Sequence, residues 1–539
     1  MKKLILIIFL FSITANAQNT VGTILNKADS YDGYTLFAPN NSTSTYLINN
    51  CGVIVNQWNS SFNPGNAVYL LENGNLLRTG RIINDNITIG GIGGALELYD
   101  WDGNILWNYT YSSPTFTQHH DIYPLPNGNI LILSLELMTE AESIQAGRDP
   151  DLLEDGRIYN EQILELEPVG TNQANIVWEW NIKDHLIQDH DSTKDNFGVI
   201  ANNPQRLNFN YTNTAGSPEN WLHCNSMQYN ETLDQIILSS RVLSEIYIID
   251  HSTTTAQAAG TTGGIYGKGG DLLFRWGNKE AYNKGDADDR TLFGQHYPHW
   301  IPDGLTDAGK IIIYNNGSST RPYSSIDIID PEVSTPGNYI YDSVNGYGPT
   351  NAEYSYTAPV NTDFFSSILS SAQRLPNGNT LICDGDSGYF FEIDSDENIV
   401  WEYINPDGFN GVFSQGETAS LNFVFRAERF SSSYAAFNGR DLTPTVEVEL
   451  NPEPSNCALL SVPEYDTVDT KIYPNPTTSI VNISSAEAIN KVEVYNLLGA
   501  MVCTIADSNT IDLSHLNSGL YILKILADTK IISRRIIKE

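Results

Sequence analysis

Short apolar runs alternate with polar turn residues along most of the chain, in a two-part pattern that recurs. The first part is an apolar run, an Asn-Gly-Asn turn and a second apolar run. It reads Tyr69-Leu-Leu-Glu-Asn-Gly-Asn-Leu-Leu-Arg78, Tyr123-Pro-Leu-Pro-Asn-Gly-Asn-Ile-Leu-Ile-Leu133 and Gln373-Arg-Leu-Pro-Asn-Gly-Asn-Thr-Leu-Ile-Cys383, with looser copies at 227–238 and 299–314. Asn-Gly between apolar runs predicts a hairpin, because the tight hairpin turn needs positive φ at both central residues. The second part is a strand, an Asp-rich turn and a strand that ends in Trp. It reads Leu96-Glu-Leu-Tyr-Asp-Trp-Asp-Gly-Asn-Ile-Leu-Trp107 and Phe391-Glu-Ile-Asp-Ser-Asp-Glu-Asn-Ile-Val-Trp401. Residues 46–58, 163–180 and, with an insertion, 246–276 follow the same plan, and 326–341 is a degenerate copy ending in Tyr.

Two hairpins per unit make a four-stranded blade, and blades in series make a β-propeller. The count predicts an all-β chain with a six-bladed β-propeller over residues 18–445. An open ring would expose unpaired strand edges, so residues 420–437 are expected to close it. The polar excursions at 138–159 and 183–218 interrupt the repeat and are expected to form loops over one face. Past residue 445 the pattern changes. Residues 446–469 read as a linker. Period-two strands between Gly and Pro turns over 470–539 predict a small C-terminal β-sandwich.

Lys2-Lys3, an apolar run from Leu4 to Ile13 and the small-x-small site Ala15-Asn16-Ala17 predict a secretory signal peptide over residues 1–17. No later stretch is long and apolar enough for a transmembrane helix. The chain carries 64 Asp and Glu against 29 Lys and Arg, a net charge of -35. That excess argues against nucleic acid and anionic membrane as partners. It leaves an anionic substrate open, since exposed charge is screened beyond about 8 Å at physiological salt. Cys51, Cys224, Cys383, Cys457 and Cys503 allow at most two disulfides, and none has the spacing of a metal or redox motif.

Three units carry His at the entry to their first hairpin. These are His119-His120-Asp121, His223 in Trp221-Leu-His-Cys-Asn-Ser226, and His296 in Gly294-Gln-His296. Equivalent positions in a propeller lie at similar heights around the axis, so the imidazoles are expected to converge on the central channel. The hairpin over 221–241 also returns Arg241 to the end that holds His223 and Asn225. Imidazoles, an amide and a fixed cation suit an anionic group whose charge changes during a reaction. On one hairpin alone, a satisfied edge histidine and a surface arginine explain the same residues.

Taken as a set, His119-His-Asp-Ile122, Trp221 to Ser226 with Ser239-Ser-Arg241, Gly294-Gln-His296, Asn315-Asn-Gly317 and Gln373 to Thr380 resemble the bacterial aryl-sulfate sulfotransferase family over residues 90–405. The resemblance implies a six-bladed propeller that moves a sulfuryl group from a phenolic sulfate ester to a phenolic acceptor through a sulfohistidine. It implies no nucleotide donor, cofactor or metal. Carried over by motif, it makes His296 the nucleophile and sets His223, Asn225 and Arg241 around the sulfuryl oxygens. His119 or His120 is a further site histidine, and the motif does not choose between them. The family's frequent N-terminal β-domain has no expected counterpart before the first repeat. Lys471-Ile-Tyr-Pro-Asn-Pro476, Leu497-Leu-Gly499 and Ser518-Gly-Leu-Tyr521 resemble the C-terminal sorting domain of type IX secretion substrates over 470–539. That implies the type IX machinery as a partner, and export through the periplasm to the cell surface or medium.

The chemistry is consistent with this. Sulfuryl transfer shares with phosphoryl transfer an in-line geometry and stabilised equatorial oxygens. Imidazole near its reference pKa of about 6.5 is mostly neutral at pH 7, hence nucleophilic. A phenolate leaving group needs a proton or a nearby cation. Gly263-Gly-Ile-Tyr-Gly-Lys-Gly269 departs from a phosphate loop at Thr262 and Gly269, which gives no support to a nucleotide donor. Two other readings remain: a non-catalytic secreted propeller acting as adhesin or glycan-binding module, and a metal-dependent propeller enzyme using the His cluster with Asp121.

Overall fold

The computed structural model describes residues 19–213, 217–452 and 471–539, the last with breaks at 486–487, 497–500, 507 and 528–529. The predicted signal peptide, Cys457, residues 453–469 of the expected linker and the Leu-Leu-Gly turn lie outside the described residues. The chain divides into two compact units, Met1–Ser461 and Val462–Glu539. Strands dominate both.

The first unit holds six antiparallel sheets built on four strands each. Their first strands are Pro64–Leu70, Phe116–Pro124, Cys224–Asn230, His296–Trp300, Ser371–Arg374 and Val424–Ser431. Each predicted Asn-Gly-Asn hairpin joins the first strand of a sheet to its second. Val424–Ser431 comes from the far end of the repeat and pairs with Gly33–Pro39 near its beginning. Gly22–Asn26 adds a fifth, outer strand to the sheet that starts at Ser371. The six first strands touch in a cycle. Strand 64–70 meets 116–124, which meets 224–230, then 296–300, 371–374, 424–431 and 64–70 again.

The Trp that ends each second hairpin serves the same cycle. Each indole Nε1–H donates to a neighbouring sheet or its connections. Trp58 reaches Asp100 O at 2.9 Å, Trp107 Gln173 O at 2.9 Å, Trp180 Gly270 O at 2.8 Å, Trp276 Pro349 O at 2.6 Å and Trp401 Asn50 O at 2.8 Å. A buried indole needs a partner for its N–H, so one residue supplies both apolar packing and a directional clasp. The sheet that starts at His296 lacks such a Trp, and there the degenerate copy at 326–341 is not the outer hairpin. Its fourth strand is Tyr354–Tyr356, paired with Ser325–Ile329. Pro331 and Pro336 cannot donate to a ladder. The intervening chain instead makes two small hairpins, Val333–Thr335 with Asn338–Tyr339 and Tyr341–Asp342 with Gly346–Tyr347.

Two further expectations need adjustment. Residues 138–159 are not a bare loop: strands Ile130–Thr139 and Arg157–Val169 run into the excursion, and helix Glu140–Gln145 starts on a capping box of Thr139 and Glu142. The start of the expected linker lies on the first unit. Ile54 N donates to Val446 O at 2.8 Å, and Val448 is buried with Trp401 and Tyr403. Cys51 is disulfide-bonded, whereas Cys224, Cys383 and Cys503 are free. In the second unit, a three-stranded and a four-stranded sheet share one apolar cluster. Val481, Ile483 and Ile511 come from one, and Val492, Val494, Leu523 and Ile525 from the other.

One buried ion pair joins five of the six first strands. Asp121 Oδ2 accepts from Arg426 Nη2 at 2.7 Å and from Met227 N at 3.0 Å. Tyr69 OH donates to Asp121 Oδ1 at 3.3 Å and accepts from Arg426 Nη1 at 2.7 Å. The Arg426 guanidinium lies 3.7 Å from the centre of the Tyr297 ring. Asp121→Ala should therefore cost about 3–5 kcal/mol, because it strands a buried guanidinium. Denaturant unfolding measures this, and a cost below about 1 kcal/mol would show that the pair holds nothing together.

His251 gives a second prediction. It bridges Asp234 at 2.7 Å and Glu165 at 3.1 Å. Burial lowers its pKa, but the two carboxylates outweigh burial and raise it to about 9. The unfolded value is about 6.5. Its stabilisation is therefore complete below the unfolded pKa and is lost as pH rises through the folded one. His251→Gln should weaken the fall in stability across that window; an unchanged pH slope would contradict the assignment.

Candidate active site

Three first strands carry an irregularity where the histidines stand. The ladder register shifts opposite His119–Asp121, between Cys224 and Ser226, and between His296 and His299. His120 has φ 51°, His223 φ 46°, and Tyr297, next to His296, φ 50°. Left-handed backbone at a residue with a side chain is strained, and it persists only where the surroundings over-determine it. A bulge re-aims a side chain out of the strand's alternation. Here three bulges gather imidazoles at one end of the cycle.

The rings of His120 and His223 lie 4.8 Å apart, edge to face. Both are within electrostatic reach of His296 and Arg241, which also act on each other. His119 stands behind His120. Its Nδ1 is 2.8 Å from His120 Nδ1, and its Nε2 is 2.9 Å from Glu161 Oε2. His299 is apart from the cluster: it lines a cavity of about 510 Å³ with Glu428 and Trp300, and its Nδ1 is 3.2 Å from Tyr297 O.

Neighbouring amides set the proton positions. His296 Nδ1 lies 2.8 Å from Asn316 Oδ1, and Asn316 Nδ2 donates to Leu369 O at 3.0 Å. The amide is thereby fixed with its oxygen toward the ring, so His296 carries Nδ1–H and keeps a lone pair on Nε2. His223 is set the other way. Asn220 Nδ2 donates to its Nδ1 at 2.8 Å, leaving Nε2–H as a donor. Asn225 Nδ2 donates to Gln295 O at 2.7 Å, so Asn225 pins the residue before His296. Arg241 Nη2 reaches Ser367 O at 3.4 Å, while its buried Nε has no hydrogen-bond partner. Among the described residues, no carboxylate forms an ion pair with Arg241.

These surroundings keep the imidazoles uncharged. Burial first and Arg241 second lower the His296 pKa to about 3. Burial and then Arg241 depress His223 well below its ordinary value; burial and then His223 do so for His120. The result is a desolvated pocket with one unpaired cation, a lone pair and an N–H donor. Among the described residues, no three His, Cys, Asp or Glu side chains are set to hold a metal ion.

Sequence reasoning named His223, His296, Arg241 and Asn225, with His119 or His120 left open, and missed the other groups that orient them. Asn316 lay within a quoted motif without a role. Asn220 stood one residue before another. Glu161 sits in a long strand of alternating residues with nothing to mark it. Gly91 was also missed. Its φ is 72°, its carbonyl accepts from His120 N at 2.7 Å, and a Cβ there would lie 2.3 Å from the His120 ring.

The arylsulfotransferase (ASST) model matches residues 26–422. The chain belongs to the arylsulfotransferase family. Residues 471–539 match the secretion system C-terminal sorting domain, which supports export to the cell surface or medium. Comparison with curated proteins found no match. Among solved structures, a Bacteroides caccae protein of unknown function is 11% identical, with a TM-score of 0.40 over 74% of this chain and 99% of its own. A putative 6-phosphogluconolactonase from Bacteroides fragilis is 11% identical, with a TM-score of 0.34 over 75% and 99%. Virginiamycin B lyase from Staphylococcus aureus is 8% identical, with a TM-score of 0.29 over 64% and 71%. Likenesses this distant do not bear on function. No helix among the described residues is long and apolar enough to cross a membrane.

The electrostatics of this candidate site are testable without substrate. With isotope-labelled histidine, the ring signals of His120, His223 and His296 should not titrate in the range where free imidazole does, near pH 6.5. Arg241→Ala should move the His296 pKa part of the way up toward that value. Titration of His296 near pH 6.5 in the unmutated protein would show that the ring is solvated and that Arg241 does not act on it.

Proposed function

We propose that the first unit is a six-bladed β-propeller arylsulfotransferase whose cycle of first strands forms the central channel. It moves a sulfuryl group from a phenolic sulfate ester to a phenolic acceptor through a sulfohistidine at His296, with no nucleotide donor. One observation carries the reading: an unpaired, desolvated Arg241 beside neutral imidazoles, one presenting a lone pair and another an N–H. A sulfuryl group matches that set, with an electrophilic sulfur for His296 Nε2 and anionic oxygens for Arg241 and His223 Nε2–H. In the first half-reaction, the Nε2–S bond forms as the S–O bond to the aryl group breaks. In the second, the acceptor oxygen forms the new S–O bond as Nε2–S breaks. Preorganised donors on charge-bearing oxygens in a dry site are the largest ordinary source of rate. Asn225 contributes by holding Gln295, and with it the entry of His296.

An adhesin surface has no need for strained histidines packed around an uncompensated cation, which favours the enzyme reading over the binding module. In the same proposal, residues 1–17 direct export as a signal peptide and residues 18–445 carry the reaction. Residues 470–539 fold as a β-sandwich that engages the type IX machinery.

The test uses an aryl sulfate whose phenol is coloured, with and without a second phenol. Without acceptor, phenol release should stop after a burst in proportion to enzyme; with acceptor, turnover should be steady and ping-pong. His296→Ala should abolish the burst. Arg241→Lys should lose about 10²–10³-fold, since a point charge cannot replace a planar fork of donors on sulfuryl oxygens. Steady release without acceptor would identify a hydrolase, and no release by the unmutated protein would return the adhesin reading.

A further inference from the structure

Sulfuryl transfer between phenols needs a proton given to the leaving phenolate and taken from the acceptor. His223 and His296 have their protons fixed by Asn220 and Asn316 and are occupied with the sulfuryl group. His120 faces the same pocket, but a proton added there makes a cation among His223, His296 and Arg241. Behind it stands a way to move that charge. His120 Nδ1 lies 2.8 Å from His119 Nδ1, and His119 Nε2 lies 2.9 Å from Glu161 Oε2. All three side chains are buried.

We propose that Glu161 and His119 form a proton relay that makes His120 the general acid and base for the phenol oxygens. This rests on the transferase reading above. His119 and Glu161 are positioning residues that act through His120. In the loaded state His119 is an imidazolium paired with Glu161 and donates Nδ1–H to His120 Nδ1, so His120 carries Nε2–H. As the S–O bond of the donor breaks, His120 gives its Nε2 proton to the leaving oxygen and takes the Nδ1 proton of His119. His119 is then neutral, with Nε2–H toward Glu161, and His120 Nε2 has a lone pair. The acceptor phenol gives its proton to that lone pair as its oxygen bonds to sulfur, and the Nδ1 proton returns to His119. One proton is lent and regained per cycle, and the charge rests beside Glu161 rather than beside Arg241.

A structural role alone leaves part of the geometry unexplained. Glu161 Oε1 already accepts from Cys224 N at 2.9 Å, which ties it to the strand of His223 and Asn225. Its second oxygen, Oε2, lies at ion-pair distance from His119 Nε2, and neither atom has a hydrogen-bond partner. The contact is close but off the line of a hydrogen bond, so each atom is a buried polar group whose nearest charged neighbour is the other. The strained φ of His120 is what turns its ring toward His223 while leaving Nδ1 on His119.

The test compares two aryl sulfates, one releasing an ordinary phenol and one releasing a much more acidic phenol that leaves without a proton. In Glu161→Gln the side-chain oxygen can still accept from Cys224 N but the charge is gone. The burst with the ordinary donor should slow about 10²-fold, and that with the activated donor less than about threefold. His119→Gln, which leaves Glu161 on Cys224 N, should show the same selectivity and provides a second reading if the first variant folds poorly. Equal loss with both donors, or none with either, would overturn the relay while leaving the transferase standing. No burst from the unmutated protein with either donor would overturn both.

Discussion

The buried pair of Asp121 and Arg426 is the constraint on which the site depends. Its members come from strands 305 residues apart in sequence. Around it gather Tyr69, Met227 with Gln228, and Tyr297, from three further first strands. A buried charge is tolerable only when it is paired, so the strands that carry the pair and its partners must arrive together. Asp121 directly follows His120, and Tyr297 directly follows His296. The network that orders the cycle thereby fixes the backbone at two of the imidazoles.

Beyond the hub the polar logic reverses. Arg426 is neutralised by Asp121, whereas Arg241 has no carboxylate partner among the described residues. Burial lowers its pKa, whereas Asp121 and the neighbouring tyrosines raise that of Arg426 against burial. Leaving a cation unpaired in a dry pocket costs stability, and it also sets aside a place for an anion. The same cation, after burial, keeps His296 neutral and so keeps its lone pair. Two amides complete the arrangement without adding charge. Asn316 and Asn220 select opposite ring tautomers, so neighbouring imidazoles present a lone pair and an N–H donor.

Much of this could be read from the residues. Asn-Gly turns located the hairpins because their backbone demand is local. Recurrent His at one point of the repeat located the cluster because equivalent positions in stacked units meet. What could not be read depends on long-range geometry. The choice between His119 and His120 turns on a single left-handed residue inside a bulge. Glu161 lies on the third strand of its sheet and reaches the site only because that strand folds beside the first two. The copy at 326–341 looked like an outer hairpin by pattern, yet its two prolines exclude it from the ladder and the outer strand forms further on.

In the proposed reaction one imidazole, His296, holds the sulfuryl group between donor and acceptor. Mass mapping of the protein after brief exposure to an aryl sulfate alone, quenched at alkaline pH, tests it most directly. The expected result is about one added sulfuryl per chain, carried on His296 and removed when a phenol acceptor is supplied. A sulfuryl group found on His120 or His223 instead, or transfer to acceptor with no labelled residue at any time, would contradict it.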